Sequence, residues 1–511
     1  MTLSENPIFL TQKRLVHRAG ALAAVIIAAL IGLSFLAALI ASLANPRTFD
    51  LRSPQAAGKV FYGWAFGLET LVLIAGGFIR ISRALADDRK SGLWDSNRLT
   101  PLKPPQLVIG YWLGAALREF YMASVLAILG LVIVVIGRLP LTLWFGTQFL
   151  LAGAALFFGL LAVLTGLGFE RPKSGIAILA ALALLQAFSL YQPRLMITNF
   201  LLPVYGVASL FHDPQEPPGS NWSGYPEVFG LPVHPVLFSL GLQAAVGFFL
   251  WRAAVRKTAN PFQPLLQRRE AVAMFGVSCV VQHGLMWGLW QGRHGAAVIP
   301  GLPESSSNES LLPIVHCGTV FVGTLVLAFA SPQPERVRLE ALRTGRGNVR
   351  LVFSRSAVSL ALAITVAAGA SLLSQYAFSL ARNWKSFVVA FGNLLDCFLV
   401  FSLLLEFCRM RFQCRAWGFV ALGLFILCAL PFVLAGIFSN EGFGRLSLLS
   451  PGVAALNDPN DDELNRLMLA VLAHSAIVAF WFVAWWNQWR RLFAEACPES
   501  GKSARHCDFC G

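Results

Sequence analysis

Two carboxyl groups inside long apolar runs are the first residues of this chain whose type and position could do chemistry. Glu69 and Asp396 each lie within such a run. An ionisable side chain at that depth of a membrane is costly and is often functional. The two residues could serve a proton relay or contact a substrate. The alternative is that each carboxyl group is hydrogen-bonded between packed helices.

The tail of the chain holds a second group of reactive residues: Cys497, His506, Cys507 and Cys510. A zinc site needs four nitrogen or sulfur ligands in a tetrahedral arrangement, and these four could close one. Their spacing is not that of a standard zinc knuckle, so a reduced tail without metal is the simpler interpretation. No Ser/His/Asp set or other catalytic cluster stands out, and we therefore predict a protein that is not an enzyme and holds no cofactor of its own.

Apolar runs near twenty residues recur along the whole chain and predict membrane-spanning helices. The chain has 511 residues, of which 56% are hydrophobic and 13% are charged. Each run is long enough to cross the roughly 30 Å of hydrocarbon in a bilayer. The predicted fold is therefore an all-α polytopic membrane protein with about twelve transmembrane helices, at 20–43, 60–79, 120–137, 141–168, 175–191, 234–251, 272–291, 312–330, 356–373, 386–406, 416–438 and 467–486.

The distribution of positive charge predicts how these spans are oriented. With both termini in the cytosol and twelve spans, three quarters of the Lys and Arg residues fall on the cytosolic side, as the positive-inside rule requires. The net charge of +14 then follows from membrane topology, and we expect lipid as a partner but no nucleic acid. The expected location is the inner (cytoplasmic) membrane of a bacterium.

Similar segments recur in order and predict that the chain is a 6 + 6 duplication. Asn6-Pro7 precedes the first span and Asn260-Pro261 precedes the seventh, and each pair is followed by basic residues. Thr-Leu-Val-Leu occurs at 70–73 and again at 324–327, and Gly-Val-Ala at 206–208 returns at 452–454. We therefore predict two six-span domains and a cytosolic tail, at 1–256, 257–490 and 491–511. The Asn-Pro segments are expected to form helices lying in the membrane interface.

The segment between the second and third spans is the most basic stretch that does not cross the membrane. It holds seven Lys or Arg residues between positions 79 and 119, so we place it in the cytosol. Ser91 can cap a short helix over 92–99, and Pro101 disfavours helix at the residue before it. This helix would present Leu93, Trp94 and Leu99 at the mouth of the membrane domain, as a docking element would.

The motifs around this helix resemble those of the permease subunits of ABC transporters of the ABC-2 (type V exporter) class. They are Asp88-Arg89-Lys90-Ser91-Gly92-Leu93 and Leu99-Thr100-Pro101-Leu102. Leucine-proline stretches before the last span of each half, at 202–210 and 449–456, are also similar to that family. The second half departs from the pattern, because its segment 331–336 contains no Thr-Pro-Leu.

The resemblance implies the permease half of an exporter for an amphipathic substrate, with two membrane domains fused in one chain. The loop would then be the coupling helix that contacts a separate ATPase subunit, on which ATP and magnesium are bound. The residues that it assigns to this contact are Arg89, Gly92, Leu93, Trp94, Leu99, Thr100 and Pro101. Two alternatives remain open, a proton-coupled secondary transporter and a membrane scaffold without transport activity.

Overall fold

The computed structural model describes most of the first half of the chain and part of the second. The described residues are 6–18, 20–44, 53–168, 179, 197–202, 204–211, 226–260, 263–290, 319, 320, 322–324, 326–328, 330, 331, 352–354, 356–378, 384–412 and 461–496. Of the described residues, 89% are helical. It divides into two compact units, one formed by 1–226 with 232–261 and the other by 227–231 with 262–511.

The first unit consists of helices joined by short connections in the part of the chain that the structure describes. In chain order these helices are α1 (Pro7–Arg18), α2 (Ala21–Ala44), α3 (Pro54–Thr70), a π-helix (Leu71–Gly76), α4 (Gly77–Lys90), α5 (Leu93–Arg98), α6 (Pro104–Ala115), α7 (Leu117–Ile136), α8 (Leu141–Gly168), α9 (Thr198–Leu201), α10 (Val204–Phe211) and α11 (Pro235–Ala259).

The second unit is helical as well. A two-stranded hairpin, β1 (Glu227–Val228) and β2 (Leu231–Pro232), lies at the boundary between the units in the chain. Its described helices are α12 (Arg268–Trp290), α13 (Ala357–Phe378), α14 (Trp384–Phe412) and α15 (Asp461–Ala496). The Phe229 backbone N–H donates to the Gly284 carbonyl oxygen at 2.9 Å, which holds the hairpin against α12.

Six of the described helices are long and apolar enough to cross a membrane. They are Ala21–Leu43, Pro54–Lys90, Leu117–Ile136, Leu141–Gly168, Pro235–Ala259 and Phe387–Arg411. The chain is therefore a multi-pass α-helical membrane protein. The long apolar run at 141–168 is one continuous helix, and the helix through the second run continues for eleven residues past it, to Lys90.

Two of the predicted spans lie almost wholly outside the described residues. The runs at 175–191 and 416–438 lie outside the described residues apart from one helical position at 179, and the run at 312–330 is described in part. The runs at 272–291, 356–373 and 467–486 lie on α12, α13 and α15. The duplication itself stays a prediction.

The first unit is held together where two helices approach closely on small residues. A Cβ atom on Gly58 of α3 would lie 2.8 Å from the Gly137 Cα at the end of α7, so only glycine allows this approach. Around it, Leu39, Phe61, Tyr62, Ile133 and Leu143 form a buried apolar cluster from α2, α3, α7 and α8. This packing fixes the position of α3. It therefore also fixes the polar residues of α3 that are described below.

The described residues at the start of the second half differ from those at the start of the first half. In the first half, Asn6 begins α1: its Oδ1 accepts hydrogen bonds from the backbone N–H groups of Ile8 and Phe9, at 3.1 and 3.3 Å. Asn260 instead closes α11, because its backbone N–H donates to the Arg256 carbonyl oxygen at 2.9 Å. The described residues 263–267 form bends and no helix before α12 begins.

Candidate functional site

The short helix α5 lies between α4 and α6, and its first turn depends on a glycine. Gly92 has φ 76°, in the left-handed region that glycine adopts at little cost. The Ser91 side chain does not cap α5, contrary to the prediction from its sequence. Its Oγ donates to the Asp88 carbonyl oxygen at 3.1 Å, so Ser91 closes α4.

The end of α5 follows the sequence closely. The Leu99 backbone N–H donates to the Asp95 carbonyl oxygen at 3.2 Å, and Thr100 Oγ1 donates to the Asn97 carbonyl oxygen at 2.5 Å. Pro101 follows in an exposed, irregular connection, because the residue before a proline avoids helical backbone angles. The helix is thus six residues long, one residue shorter at each end than predicted.

The three apolar residues of this segment point in different directions. Trp94 is 3% exposed, and its ring centroid lies 5.4 Å from that of Tyr111 on α6. Leu93 is 55% exposed and Leu99 is 90% exposed. Trp94 therefore anchors α5 to the protein, while Leu93 and Leu99 form an exposed leucine pair that is free to meet a partner.

A polar network lies beneath α5 beside Trp94. The Tyr111 hydroxyl donates to Asp88 Oδ2 at 2.5 Å and accepts from Asn97 Nδ2 at 2.9 Å. Burial raises the pKa of Tyr111, and the hydrogen bond to the Asp88 carboxylate raises this pKa further. The phenol therefore keeps its proton and links α4, α5 and α6 through one oxygen atom.

An arginine ties α5 to the end of the last helix of the unit. Arg98 Nε donates to the Thr258 carbonyl oxygen at 2.9 Å, and Nη2 donates to the Ala259 carbonyl oxygen at 3.2 Å. These carbonyls belong to the last turn of α11, where backbone acceptors have no partner within the helix. A cation at this end is also favoured by the helix dipole.

A second arginine makes the same kind of contact to α8. Arg89 Nη1 donates to the carbonyl oxygens of Gly166 and Leu167, at 3.2 and 2.8 Å. The end of α4 is therefore joined to the end of α8 by an arginine that was predicted to act in coupling. Gly166 contributes directly, because a Cβ atom there would lie 2.6 Å from Leu85 Cβ.

Helix α1 packs along α6. The Asn-Pro segment at the start of α1 makes part of this contact. Asn6 Nδ2 donates to the Gln106 carbonyl oxygen at 2.7 Å. A Cβ atom on Gly110 would lie 3.0 Å from Asn6 Oδ1, and one on Gly114 would lie 2.9 Å from Gln12 Cβ. The two glycines, four residues apart on one face of α6, let α1 approach closely.

Sequence analysis missed three groups that the structure brings together at the start of α7. Glu119 is 2% exposed. Its Oε1 lies 2.9 Å from Arg118 Nη2 and 3.4 Å from Arg80 Nε. Arg80 and Arg118 were counted only as part of the positive charge of the segment, and nothing in the spacing indicated a shared carboxylate.

The two carboxyl groups that were singled out in apolar runs both have a neutral hydrogen-bond donor. Gln148 Nε2 donates to Glu69 Oε2 at 3.0 Å. Ser475 Oγ donates to Asp396 at 3.0 and 3.3 Å. Glu69 is 3% exposed and Asp396 5%. The structure places them in different units, on α3 and α14.

The possible metal ligands of the tail are Cys497, His506, Cys507 and Cys510. They lie outside the described residues, as does Pro261. Within the described ranges, no group of three or more His, Cys, Asp or Glu side chains could hold a metal ion. The cysteines that are described, Cys279, Cys397 and Cys408, are buried and form no disulfide bond with one another.

Comparison with known proteins finds no relative of this chain. No family model matches the chain, and neither does any curated protein or any solved structure. The function of the chain therefore has to be inferred from its own residues and their geometry.

Proposed function

We propose that this chain is the permease subunit of an ATP-binding cassette transporter of the ABC-2 class. It would export an amphipathic substrate and be driven by an ATPase encoded separately, which binds ATP and magnesium. The observation that carries the proposal is that α5 is fixed to α6 and α11 while its leucine pair, Leu93 and Leu99, is exposed.

The anchoring of α5 fits a coupling element better than a surface loop. A loop with no mechanical role needs no fixed position, but α5 is bonded to α11 through Arg98 and to α6 through Trp94 and Asn97. Arg89, four residues before α5, bonds to α8. A force applied to the leucine pair would therefore reach the ends of α4, α8 and α11 together.

Energetically, the exposed leucines suit a protein partner. Burial of a leucine side chain is worth roughly 1.5–3 kcal/mol, so each of the two exposed leucines could add to the affinity of a contact. The neighbouring Arg98 and Asp95 side chains, 3.5 Å apart, would form the polar rim of such a contact. Arg89, Gly92, Thr100 and Pro101 then act by shaping and fixing the helix.

The proposed fusion of two membrane domains is supported by a contact that recurs in both units. In the first unit Arg89, at the end of α4, bonds to the last carbonyls of α8. In the second, Arg409 near the end of α14 donates to the carbonyl oxygens of Ala328 and Ser331, both at 3.2 Å. In each half, an arginine therefore joins the second predicted span to the fourth. The arginine follows the second span in the first half and the fourth span in the second half.

Purification of the full chain from its native membrane tests the proposal. We expect an ATPase with ATP-binding motifs to co-purify, identified by mass spectrometry and by ATP hydrolysis. Replacement of both Leu93 and Leu99 by Asp should remove it. The matched control is Leu231→Asp on the hairpin, which is 68% exposed and lies on the predicted outer side. Failure to recover any ATPase with the wild-type chain contradicts the proposal.

The second candidate is a proton-coupled secondary transporter, which the buried Glu69 favours. In that case the purified chain alone would move a substrate into vesicles along a proton gradient, and Glu69→Gln would abolish this transport. The ABC-2 proposal instead requires the ATPase for transport.

A further inference from the structure

Glu69 lies in the middle of the apolar part of a long helix, which is formed by α3, the π-helix and α4 in succession. The run from 60 to 79 contains no other charged residue. The nearest basic residues along the helix are Lys59 and Arg80, ten and eleven positions away, which is about 15 Å along the axis in either direction. Glu69 is therefore placed near mid-depth, where an ionised side chain is most costly.

The groups that contact Glu69 are neutral. Gln148 Nε2 donates to its Oε2 at 3.0 Å, and no other hydrogen bond reaches it from the described residues. The nearby Tyr62 hydroxyl is hydrogen-bonded to Thr147 Oγ1 at 2.5 Å. All four residues lie on α3 or α8, and three of them are at least nine-tenths buried: Tyr62, Glu69 and Thr147.

On the described helices α2, α7, α8 and α10, charged side chains are absent or already bonded. Helices α2 and α8 contain no titratable residue, and α10 contains only Tyr205. On α7 the charged residues are Arg118 and Glu119, which bond to each other at its first turn. The predicted fifth span, 175–191, contains no Lys, Arg or His.

The helix changes its hydrogen-bond pattern beside this carboxyl group. Helix α3 ends at Thr70, and residues 71–76 form a π-helix. Such segments are rare within α-helices and are frequent at functional sites. Thr70 Oγ1 is buried and has no hydrogen-bond partner among the described groups. These features are independent of the chemistry of Glu69 and also indicate a site rather than a simple packing contact.

We propose that Glu69 is a proton-binding site: its carboxyl group holds a proton while the protein is folded in the membrane near neutral pH. A protonated carboxyl group avoids the cost of burying an unpaired charge. It keeps an acceptor oxygen for Gln148 and gains an O–H donor. The ligand of the site is the proton. The proposal does not rest on the ABC-2 assignment, because it follows from the depth and the neutral partners of Glu69.

Glu119 provides an internal comparison. It is also buried, but two arginines, Arg80 and Arg118, lie within 3.4 Å of its carboxylate oxygen. The partners of Glu119 are therefore charged, whereas the hydrogen-bond donor to Glu69 is neutral.

Infrared difference spectroscopy of the full chain in lipid vesicles tests this. The spectrum of wild type minus Glu69→Gln should show the C=O stretch of a protonated carboxyl group near neutral pH, and this band should decrease reversibly at alkaline pH. Glu69→Gln preserves shape and neutrality, so it should fold. Absence of the band from the difference spectrum, with both proteins folded by circular dichroism, overturns the proposal.

Chemical labelling gives a second readout on the same samples. Dicyclohexylcarbodiimide, an apolar reagent that attacks protonated carboxyl groups, should modify Glu69 and leave Glu119 unmodified, as located by mass spectrometry. Modification of Glu119 but not of Glu69 would contradict the assignment. Where neither residue reacts, the infrared band decides.

Discussion

Arg98 and Thr258, which are 160 residues apart in the chain, are joined by a hydrogen bond of 2.9 Å from Nε to the carbonyl oxygen. The same guanidinium group also reaches the Ala259 carbonyl oxygen. One side chain thus fixes the short helix α5 to the end of α11. Since Leu99 lies next to Arg98, a partner bound to the leucine pair is mechanically linked to a membrane-spanning helix.

Arg98→Ala should loosen α5 from α11 while leaving the membrane helices in place. Hydrogen bonds that involve a charged group contribute about 1.5–3 kcal/mol, and partial exposure of this side chain places the effect at the lower end. Hydrogen exchange at residues 93–98 should therefore become roughly tenfold faster. Arg98→Lys should recover only part of the protection, because lysine lacks the fork of donors. The exposed Arg83→Ala is the control, and equal exchange rates in all three variants would contradict the linkage.

Substitutions of Trp94 and of Leu99 should separate an effect on stability from an effect on the docking of the ATPase. Trp94→Ala removes a buried ring, and such truncations cost about 3–5 kcal/mol, so we expect lower thermal stability in detergent. Leu99→Ala changes a side chain that is 90% exposed and should alter stability by less than about 0.5 kcal/mol. It should nevertheless weaken the co-purification of the ATPase. Loss of stability in Leu99→Ala, or none in Trp94→Ala, would show that the two faces of α5 are assigned wrongly.

Gly92 should tolerate substitution only at the cost of backbone strain. No atom lies within 4 Å of a Cβ placed on it, so steric contact is not the obstacle. Its left-handed φ should make Gly92→Ala cost about 1–2 kcal/mol, with Gly92→Asn less costly because asparagine visits this region more readily. Gly67→Ala is the control, since that position is helical and open. Thermal unfolding curves of the three variants check the ranking, and similar midpoints for Gly92→Ala and Gly67→Ala would exclude the strain.

Gly114→Ala should displace α1 from α6. The new methyl group would lie 2.9 Å from Gln12 Cβ and 3.3 Å from Phe9 Cα, and overpacking of this kind typically costs about 1–3 kcal/mol. Trypsin should then cut the chain more readily in α1, after Lys13 or Arg14. Gly247→Ala on α11, where the space around the Cβ is open, should leave the cleavage rate unchanged. A wild-type cleavage pattern in Gly114→Ala would mean that α1 is not held by this contact.

Hydrophobic patterning predicted the helices well, because helix length in a membrane is set by the thickness of the bilayer. The runs at 20–43 and 120–137 lie on α2 and α7 with ends within three residues. The continuation of the second helix to Lys90 was missed, since residues 80–90 are polar on their exposed face and apolar where Ile81 and Leu85 are buried. Average hydropathy does not detect such an amphipathic extension.

Local chemistry predicted the short helix but not its contacts. Gly92 and Pro101 act on backbone angles near themselves, so they could be interpreted from the sequence. The burial of Trp94 against Tyr111 and the pairing of Arg98 with Thr258 depend on residues that only the fold brings together. For the same reason, Glu119 with Arg80 could not be found by spacing alone.

Photo-crosslinking from position 99 tests whether α5 is the docking element for an ATPase. A photoreactive benzoyl-phenylalanine would replace Leu99 in the full chain in its native membrane, with the same replacement of Leu231 as the control. We expect residue 99 to form a covalent adduct with a protein carrying ATP-binding motifs, and residue 231 to form none. Absence of that adduct from residue 99 in a folded chain, or equal adducts from both positions, would contradict α5 as the docking element for an ATPase.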